Sequence, residues 1–406
     1  MIADTHKFDP ITLRLNQNIH DADFIQSPYR AYAAMHQAGG RVFWEQYGFW
    51  CFANYADVNS LLRDKRFGRE VPPGLRGGDR SHLEWFDRVE RYSLLEMEPP
   101  GHTRLRRLVN RAFVSSHIER LKPEISRLSH ALIDGFEAKS SVDLLPAYAT
   151  PVPLRVIAAL MGVLPEMEPL MLDWSHAMVR MYTLTATRAE EDAANEACRQ
   201  FHGALSDLLA HKRRHPADDL LTELCSGGIA LDEAISTAVL LMNAGHEATV
   251  HQTGNAVLTL LNHAENPAAL LSTPDLAAQA IEEALRFDAP LHLFTRYAKE
   301  NVDFGGGVQV AKGQQIGLLL GAANRDPLAF EAADSFVPAR RDQRNVTFGA
   351  GIHFCIGAPL ARMEMAISVA TLFERLPRLA LAEQPRFADT FHFHGLETLI
   401  ALPQGK

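Results

Sequence analysis

Phe348-Gly349-Ala350-Gly351-Ile352-His353-Phe354-Cys355-Ile356-Gly357-Ala358-Pro359-Leu360-Ala361-Arg362 is the stretch from which the rest of the chain is read. It holds one cysteine, Cys355, between glycines, with His353 two residues before it. Gly349, Gly351 and Gly357 carry no Cβ, so they permit a tight loop and the close approach of a flat, bulky group. Beyond Cys355, Leu360, Met363, Ile367 and Leu372 recur at helical spacing, which predicts a helix beginning just after the thiol. The free amides and positive dipole end of that helix favour an anion, here the thiolate.

A lone cysteine is more often a small buried hydrophobe. Structural zinc is disfavoured, because Cys51, Cys198 and Cys225 are isolated and form no paired C-x-x-C spacing. A catalytic pair of Cys355 with His353 stays open on composition alone, although a nucleophile needs no such frame of glycines and aromatics. The run resembles the heme-binding loop of the cytochrome P450 family, F-x-x-G-x-H/R-x-C-x-G, through Phe348, Gly351, His353, Cys355 and Gly357. That resemblance implies heme b with Cys355 as the thiolate ligand of its iron, a ligand that favours O–O cleavage. It also implies that Phe348 packs beside the sulfur, that Gly349 and Gly357 lie against the cofactor, and that His353 reaches a propionate.

The composition is that of a soluble globular protein, with 47% hydrophobic and 22% charged residues. A net charge of −9 argues against a nucleic-acid binder with a general basic surface. Residues 1–20 contain no apolar run suited to a signal or membrane anchor, so a cytoplasmic enzyme is expected. Four scattered cysteines point to reduced thiols rather than a disulfide framework.

From the N-terminus, Tyr29 to Gly39 reads as a helix and Arg41 to Phe52 as two short strands around residues 46–48. Residues 68–80 read as a loop, followed by apolar Leu83, Trp85, Phe86 and Val89. They form a substrate-facing lid by resemblance, or an ordinary packed helix after a surface loop. After Pro99-Pro100-Gly101 a helix places His102 and Arg106 at i and i+4, on one face. Such a pair can clamp a carboxylate, and the resemblance assigns both to heme propionates; the plainer reading is a solvated basic face. Arg104, Arg107 and Arg111 form a basic patch suited to an acidic electron donor such as a ferredoxin, or merely to solubility.

Residues 151–161 and 167–181 read as helices before a charged helix over 188–214, and by resemblance they roof a substrate pocket. Met178, Met181, Tyr182 and Leu184 would line it, although a methionine stripe is more often core. The apolar helix over 231–261 carries Asn243-Ala244-Gly245-His246-Glu247-Ala248-Thr249. Its internal glycine costs about 1 kcal/mol relative to alanine and marks a close approach. The run is similar to the family's oxygen-binding segment, A-G-x-E/D-T-T. That similarity puts Ala244 and Gly245 against the heme and makes Glu247 a proton relay. The chain departs from the pattern at Ala248, the usual threonine, and Thr249 points about 100° further round the helix; an ordered water, a polar group of the substrate, or Thr249 as a catalytic candidate after local unwinding is left to complete the proton path. Asn243, one turn before Glu247, is a candidate substrate contact.

Glu283 and Arg286 form an E-x-x-R pair that, with Arg340, resembles the family's structural triad. Residues 289–296 read as extended. By resemblance Arg296 grips a propionate, and Leu291, His292 and Phe294 face substrate; a lone histidine such as His292 is more often structural. Residues 391–396 read as a turn between two strands, with Leu396 on the pocket wall beside Trp85 and Leu240.

The fold implied is mainly α with a smaller β region. It is a triangular helical prism holding heme between the long central helix and the cysteine-bearing helix, as one domain over 1–406 with an irregular extension at 1–28. The activity implied is monooxygenation of a small to medium apolar substrate, most simply hydroxylation. O2 is the oxidant, and electrons come from NAD(P)H through a reductase and a ferredoxin to a monomer. A peroxide-driven peroxygenase and a non-enzymatic heme sensor are the rival readings.

Overall fold

The computed structural model describes residues 7–75, 79–113, 118–182 and 186–405. Leu184 and part of the loop over 68–80 lie outside them. The periodic apolar segments form the expected helices: Tyr29–Gln37, Gly101–Ala112, Pro151–Met161, Glu168–Val179, Arg188–Arg214, Leu231–His263, Pro274–Phe287 and Ala358–Arg375. Local chemistry sets their ends. Thr187 and Glu190 close a capping box at the start of Arg188–Arg214, and Gly162, at φ +73°, ends Pro151–Met161 in the left-handed region.

The helix Leu231–His263 is the hub. It packs against Pro151–Met161, Ala358–Arg375, Arg188–Arg214 and Pro274–Phe287, and it is buried nearly all round, as an apolar helix must be. It is helical throughout, with no opening at residues 243–249. A Cβ on Gly245 would lie 2.6 Å from Ile157 Cγ1. The close approach read from this glycine is therefore to the helix Pro151–Met161, which corrects the expectation that Gly245 lies against the cofactor.

The β region is a seven-stranded sheet. Its hairpin pairs Arg41–Trp44 with Phe49–Phe52. Strand Gln315–Leu319 runs parallel to Phe49–Phe52 and antiparallel to Leu293–Ala298, setting Ile316 opposite Arg296. A three-stranded sheet joins Ala380–Leu381, Ile400–Leu402 and Val142–Asp143. No strands flank residues 391–396 among the described residues; single bridges, Leu291 to Phe393 and Phe387 to Leu396, stand there instead. The backbone there bonds within the loop, His392 N–H to Thr390 O, and across the bridge, His394 N–H to Pro290 O and His292 N–H to His392 O.

The E-x-x-R pair is fully buried. Arg286 donates twice to Glu283 at 2.8 Å and also to the carbonyls of Asn324, Ala333 and Ser335. Glu283 further accepts from Val337 N–H and from Arg340. The Asn324 side chain in turn donates to Thr347 Oγ1 and accepts from Val346 N–H, each at 2.8 Å. Thr347 also bonds to Leu285 O. The two residues before Phe348 are thereby tied to the pair, which fixes where the cysteine loop begins.

No helix among the described residues is long and apolar enough to cross a membrane.

Within Ala358–Arg375, Glu364 is 2% exposed and its Oε1 has no partner; burial pushes its carboxyl up to about 8. The folded chain holds a proton there that the unfolded chain releases near its ordinary value of 4.5. This contribution to stability is therefore complete below that value and is lost as pH rises toward about 8. Glu364→Gln should raise the denaturation midpoint clearly at pH 9 and little at pH 5.

Candidate active site

Three elements build the site: the loop before Ala358–Arg375, the inward face of Gly101–Ala112, and the strand Leu293–Ala298. Cys355 N–H bonds to Phe348 O at 2.9 Å, closing the loop. Gly351 turns it at φ +72°, and a Cβ there would meet Leu62 O at 2.6 Å, so no other residue fits. The backbone N–H groups of Gly357 and Ala358 stand beside the sulfur and favour its charged form. Burial pushes its thiol up, while those amides, Arg106 and Arg362 act in the opposite direction. Cys355 is exposed as a residue although protein crowds its side chain. Arg362 lies 4.5 Å from the Phe348 ring centroid and is held by Glu282 at 2.6 and 2.8 Å.

Beside the sulfur stands a wall of cations. Helical phase puts His102, Leu105 and Val109 inward, with Arg106 half-buried between them and donating to Phe354 O. The His102 ring is 4.6 Å from that of His353, is 2% exposed, and has no partner at either nitrogen. Burial, then His353 and Arg106, hold it down at about 4. Arg296 donates to Thr295 O at 3.0 Å, but its Nη2 is buried and unpartnered. Burial and neighbouring Arg69 bring its guanidinium down to about 9. At the edge, Glu98 bonds His353 at 3.3 Å and Lys299 at 2.8 Å. Burial opposes its charge, yet those two partners and Arg69 N–H hold its carboxyl low, at about 2.

In the long helix the least buried face runs through Leu240, Ala244 and Ala248, with Ala244 exposed between buried neighbours. Glu247, on the next face, is ringed by imidazoles. His251 lies 3.6 Å away, His246 3.7 Å and His176 3.9 Å. Burial works to raise its carboxyl, but His251, His246 and His176 together keep it below the ordinary value.

Comparison with known proteins settles the family. The family model for cytochrome P450 matches residues 271–392. The chain is similar to "Cytochrome P450 107B1" of Saccharopolyspora erythraea, 37% identical over 87% of this chain and 89% of that one. It is also similar to "Vitamin D(3) 25-hydroxylase" of Pseudonocardia autotrophica, 34% identical over 90% of each. A solved structure, P450BioI in complex with an acyl carrier protein bearing hexadec-9Z-enoic acid, superimposes with a TM-score of 0.88. It is 33% identical and covers 94% of this chain and 99% of that one. The chain is a cytochrome P450.

As a cytochrome P450 monooxygenase it takes heme b on a cysteine thiolate. The wall described above fits that group: a buried imidazole and a buried guanidinium with unmet donors, flanked by Arg106, call for anionic oxygen, and heme brings two carboxylates. The same loop, with its amide-solvated sulfur, fits a metal-bound thiolate.

Of the residues expected to face substrate, Leu240, Leu291 and Phe294 are half-buried, with Arg69 and Arg296 stacked on Phe294 at 4.3 and 4.7 Å. Five others are corrections. His292 is 0% exposed and bonded to Tyr32 Oη at 2.9 Å, so it serves an internal network. Met178 is 0% exposed and its sulfur accepts from Asn243 Nδ2 at 3.4 Å, which takes both residues out of the pocket wall. Trp85 packs against the His202 ring at 5.2 Å beneath Arg88, on the outer helix Arg188–Arg214. Leu396 is 6% exposed and lies over Gly254, while Thr249 is 7% exposed and turned from the open face. Sequence reasoning missed Glu98, His176 and His251. The last was legible as an i+4 neighbour of Glu247; the others meet their partners only through the fold.

Replacing His102 or Arg296 by alanine should lower heme occupancy of the purified protein severalfold, and the double variant more than either. The heme-to-protein absorbance ratio measures this.

Proposed function

We infer that this enzyme hydroxylates an unactivated carbon of an extended apolar chain of the fatty-acyl kind. It would do so as one domain and a monomer in the cytoplasm, with a ferredoxin as electron donor. The observation that carries the reading is Cys355, an exposed residue that protein crowds and whose charge the Gly357 and Ala358 amides favour, which we read as facing an internal void. The fatty-acyl ligand carried in the P450BioI complex supports the substrate class, as does the apolar face at Leu240, Ala244 and Ala248.

Cys355 would hold the iron, and His102, Arg106 and Arg296 the propionates, with His353 shared with Glu98. When bound, heme supplies the oxidant: O2, two electrons and two protons yield one hydroxylated carbon and one water. Gly357 and Ala358 N–H groups keep charge on the sulfur. Ala244 and Ala248, having no bulk, leave room for substrate over that centre.

Protons must cross from solvent to the void, and Glu247 is placed to carry them. His176, 58% exposed, stands 3.9 Å from its Oε2 and can pass a proton inward from bulk water. Glu247 stays ionised between its imidazoles and so can accept it. Because Ala248 has no hydroxyl, the last hydrogen bond to the void must come from water or from substrate.

The electron donor would dock on the outer face of Gly101–Ala112, where Arg104, Arg107 and Arg111 line an open cleft of about 600 Å3. Arg104 is partly neutralised by Glu233. That leaves exposed Arg107 and Arg111 as the stronger attraction for an acidic partner.

With NADPH, a ferredoxin reductase and a ferredoxin, the enzyme should convert dodecanoic acid to hydroxylated product. Glu247→Gln should slow that turnover on the order of a hundredfold and enlarge its solvent isotope effect. Product formed from hydrogen peroxide alone, at the same rate in both proteins, would refute the proton-relay and monooxygenase reading.

A further inference from the structure

Away from the thiol loop, three segments bring one carboxyl and two imidazoles together. Asp288 follows the last residue of the helix Pro274–Phe287, His292 stands just before the strand Leu293–Ala298, and His394 belongs to the C-terminal loop. All three are more than nine-tenths buried, at 7%, 0% and 4% exposed. Each offers a ligand atom within 4.8 Å of the other two. Burying such groups side by side is costly unless something joins them.

The contacts between them are long, and those to their surroundings are close. His394 Nε2 lies 3.4 Å from Asp288 Oδ1, past the usual range of about 2.7–3.2 Å. Tyr29 Oη donates to Asp288 Oδ1 but is 3.5 Å from His292 Nε2. On its outer side His292 Nδ1 meets Tyr32 Oη at 2.9 Å, which aims Nε2 into the cluster. Both rings are held: a Cβ on Gly321 would lie 2.9 Å from His292 Cδ2, and His394 stacks on Phe387 at 3.8 Å. A ring fixed by an outer hydrogen bond, with its other nitrogen turned toward a carboxylate and a second imidazole, is how metal ligands are held.

We propose that Asp288, His292 and His394 bind a structural zinc ion, with Tyr29 Oη or a water in the fourth position. Zinc takes mixed nitrogen and oxygen ligands in a tetrahedron. Ligands about 2 Å from the ion stand about 3.3 Å apart, so the set closes by a contraction of about 1.5 Å at most. Arg325 approaches from the Tyr29 ring, 3.9 Å away, and its charge is met by Asp334 at 3.4 Å and by Phe287 O at 2.7 Å. The ion would clip the C-terminal loop, which has single bridges in place of strands, to the end of Pro274–Phe287. Phe393 in that loop has its ring 5.5 Å from that of His251, so the clip would also steady one imidazole beside Glu247.

The test uses the heme-loaded enzyme, made in zinc-supplemented medium, purified without a metal-affinity column and dialysed against citrate. Mass spectrometry of the metals should find about one zinc per chain. Stripping it with EDTA should lower the thermal midpoint by about 5 °C, and added zinc should restore it. His394→Gln and Asp288→Asn should each keep less than about one-tenth of the zinc with heme content unchanged. The exposed pair His211 and His215, with rings 4.7 Å apart, is the rival place for adventitious zinc, and H211Q/H215Q should keep the full equivalent. Wild type that holds no zinc, or another metal in its place, would overturn the proposal without need of any variant. So would zinc that survives His394→Gln and Asp288→Asn, or zinc that is lost from H211Q/H215Q.

Discussion

Keeping negative charge on a sulfur inside the protein is the constraint on which the structure turns. Burial alone pushes a thiol toward its neutral form, as at Cys51, where nothing opposes it. At Cys355 the same burial is met by two backbone N–H groups and by Arg106 and Arg362. Those donors exist only if the loop closes tightly before the helix Ala358–Arg375. Closure needs the positive φ of Gly351 and the Phe348–Cys355 hydrogen bond. The loop's starting point is set in turn by Asn324 and Thr347, and through them by the buried Glu283–Arg286 pair. A salt bridge some seventy residues away thus positions the sulfur without touching it. Removing one member of a buried pair costs about 3–5 kcal/mol, so the thiol loop and the core stand or fall together.

The cation wall follows the same logic with opposite sign. The chain carries a net charge of −9, yet His102, Arg106, His353 and Arg296 gather in one place with Glu98 as the acid at their edge. Desolvation lowers both His102 and Arg296, and Glu98, with Glu96 at Arg296, offsets it only in part. Binding of two carboxylates would reverse both shifts. If His102 holds one of those carboxylates, as proposed, cofactor binding would be coupled to proton uptake there.

Local chemistry was legible in the sequence, and long-range partnership was not. The thiol loop, the helix after it, the first hairpin and the capping of Arg188–Arg214 are each set by residues within a few positions of one another. The five corrected substrate contacts were assigned from the resemblance and from helix phase, neither of which shows a side chain's partners. His292 turned out to lie among Tyr29, Tyr32 and His394, partners drawn from both ends of the protein. Gly245 was rightly read as a close approach, but the pattern could not say whether the neighbour was a cofactor or Ile157. The missing strands around residues 391–396 have a similar origin: the reading rested on the turn residues themselves, while the backbone bonds within the loop and across to residues 290–292.

The acid at Glu247 and the alanine at Ala248 define what is particular to this enzyme. Three histidines stand within 4 Å of the acid and, in the proposed reading, would supply the proton traffic that a threonine hydroxyl would otherwise help direct. All of this has meaning only if Cys355 ligates the iron as a thiolate. The most direct measurement is the ferrous carbonyl spectrum of the purified protein and of Cys355→Ser, each reconstituted with heme. The account predicts a strongly red-shifted Soret band in the native protein that is absent from the variant. The same red-shifted band in both would contradict it.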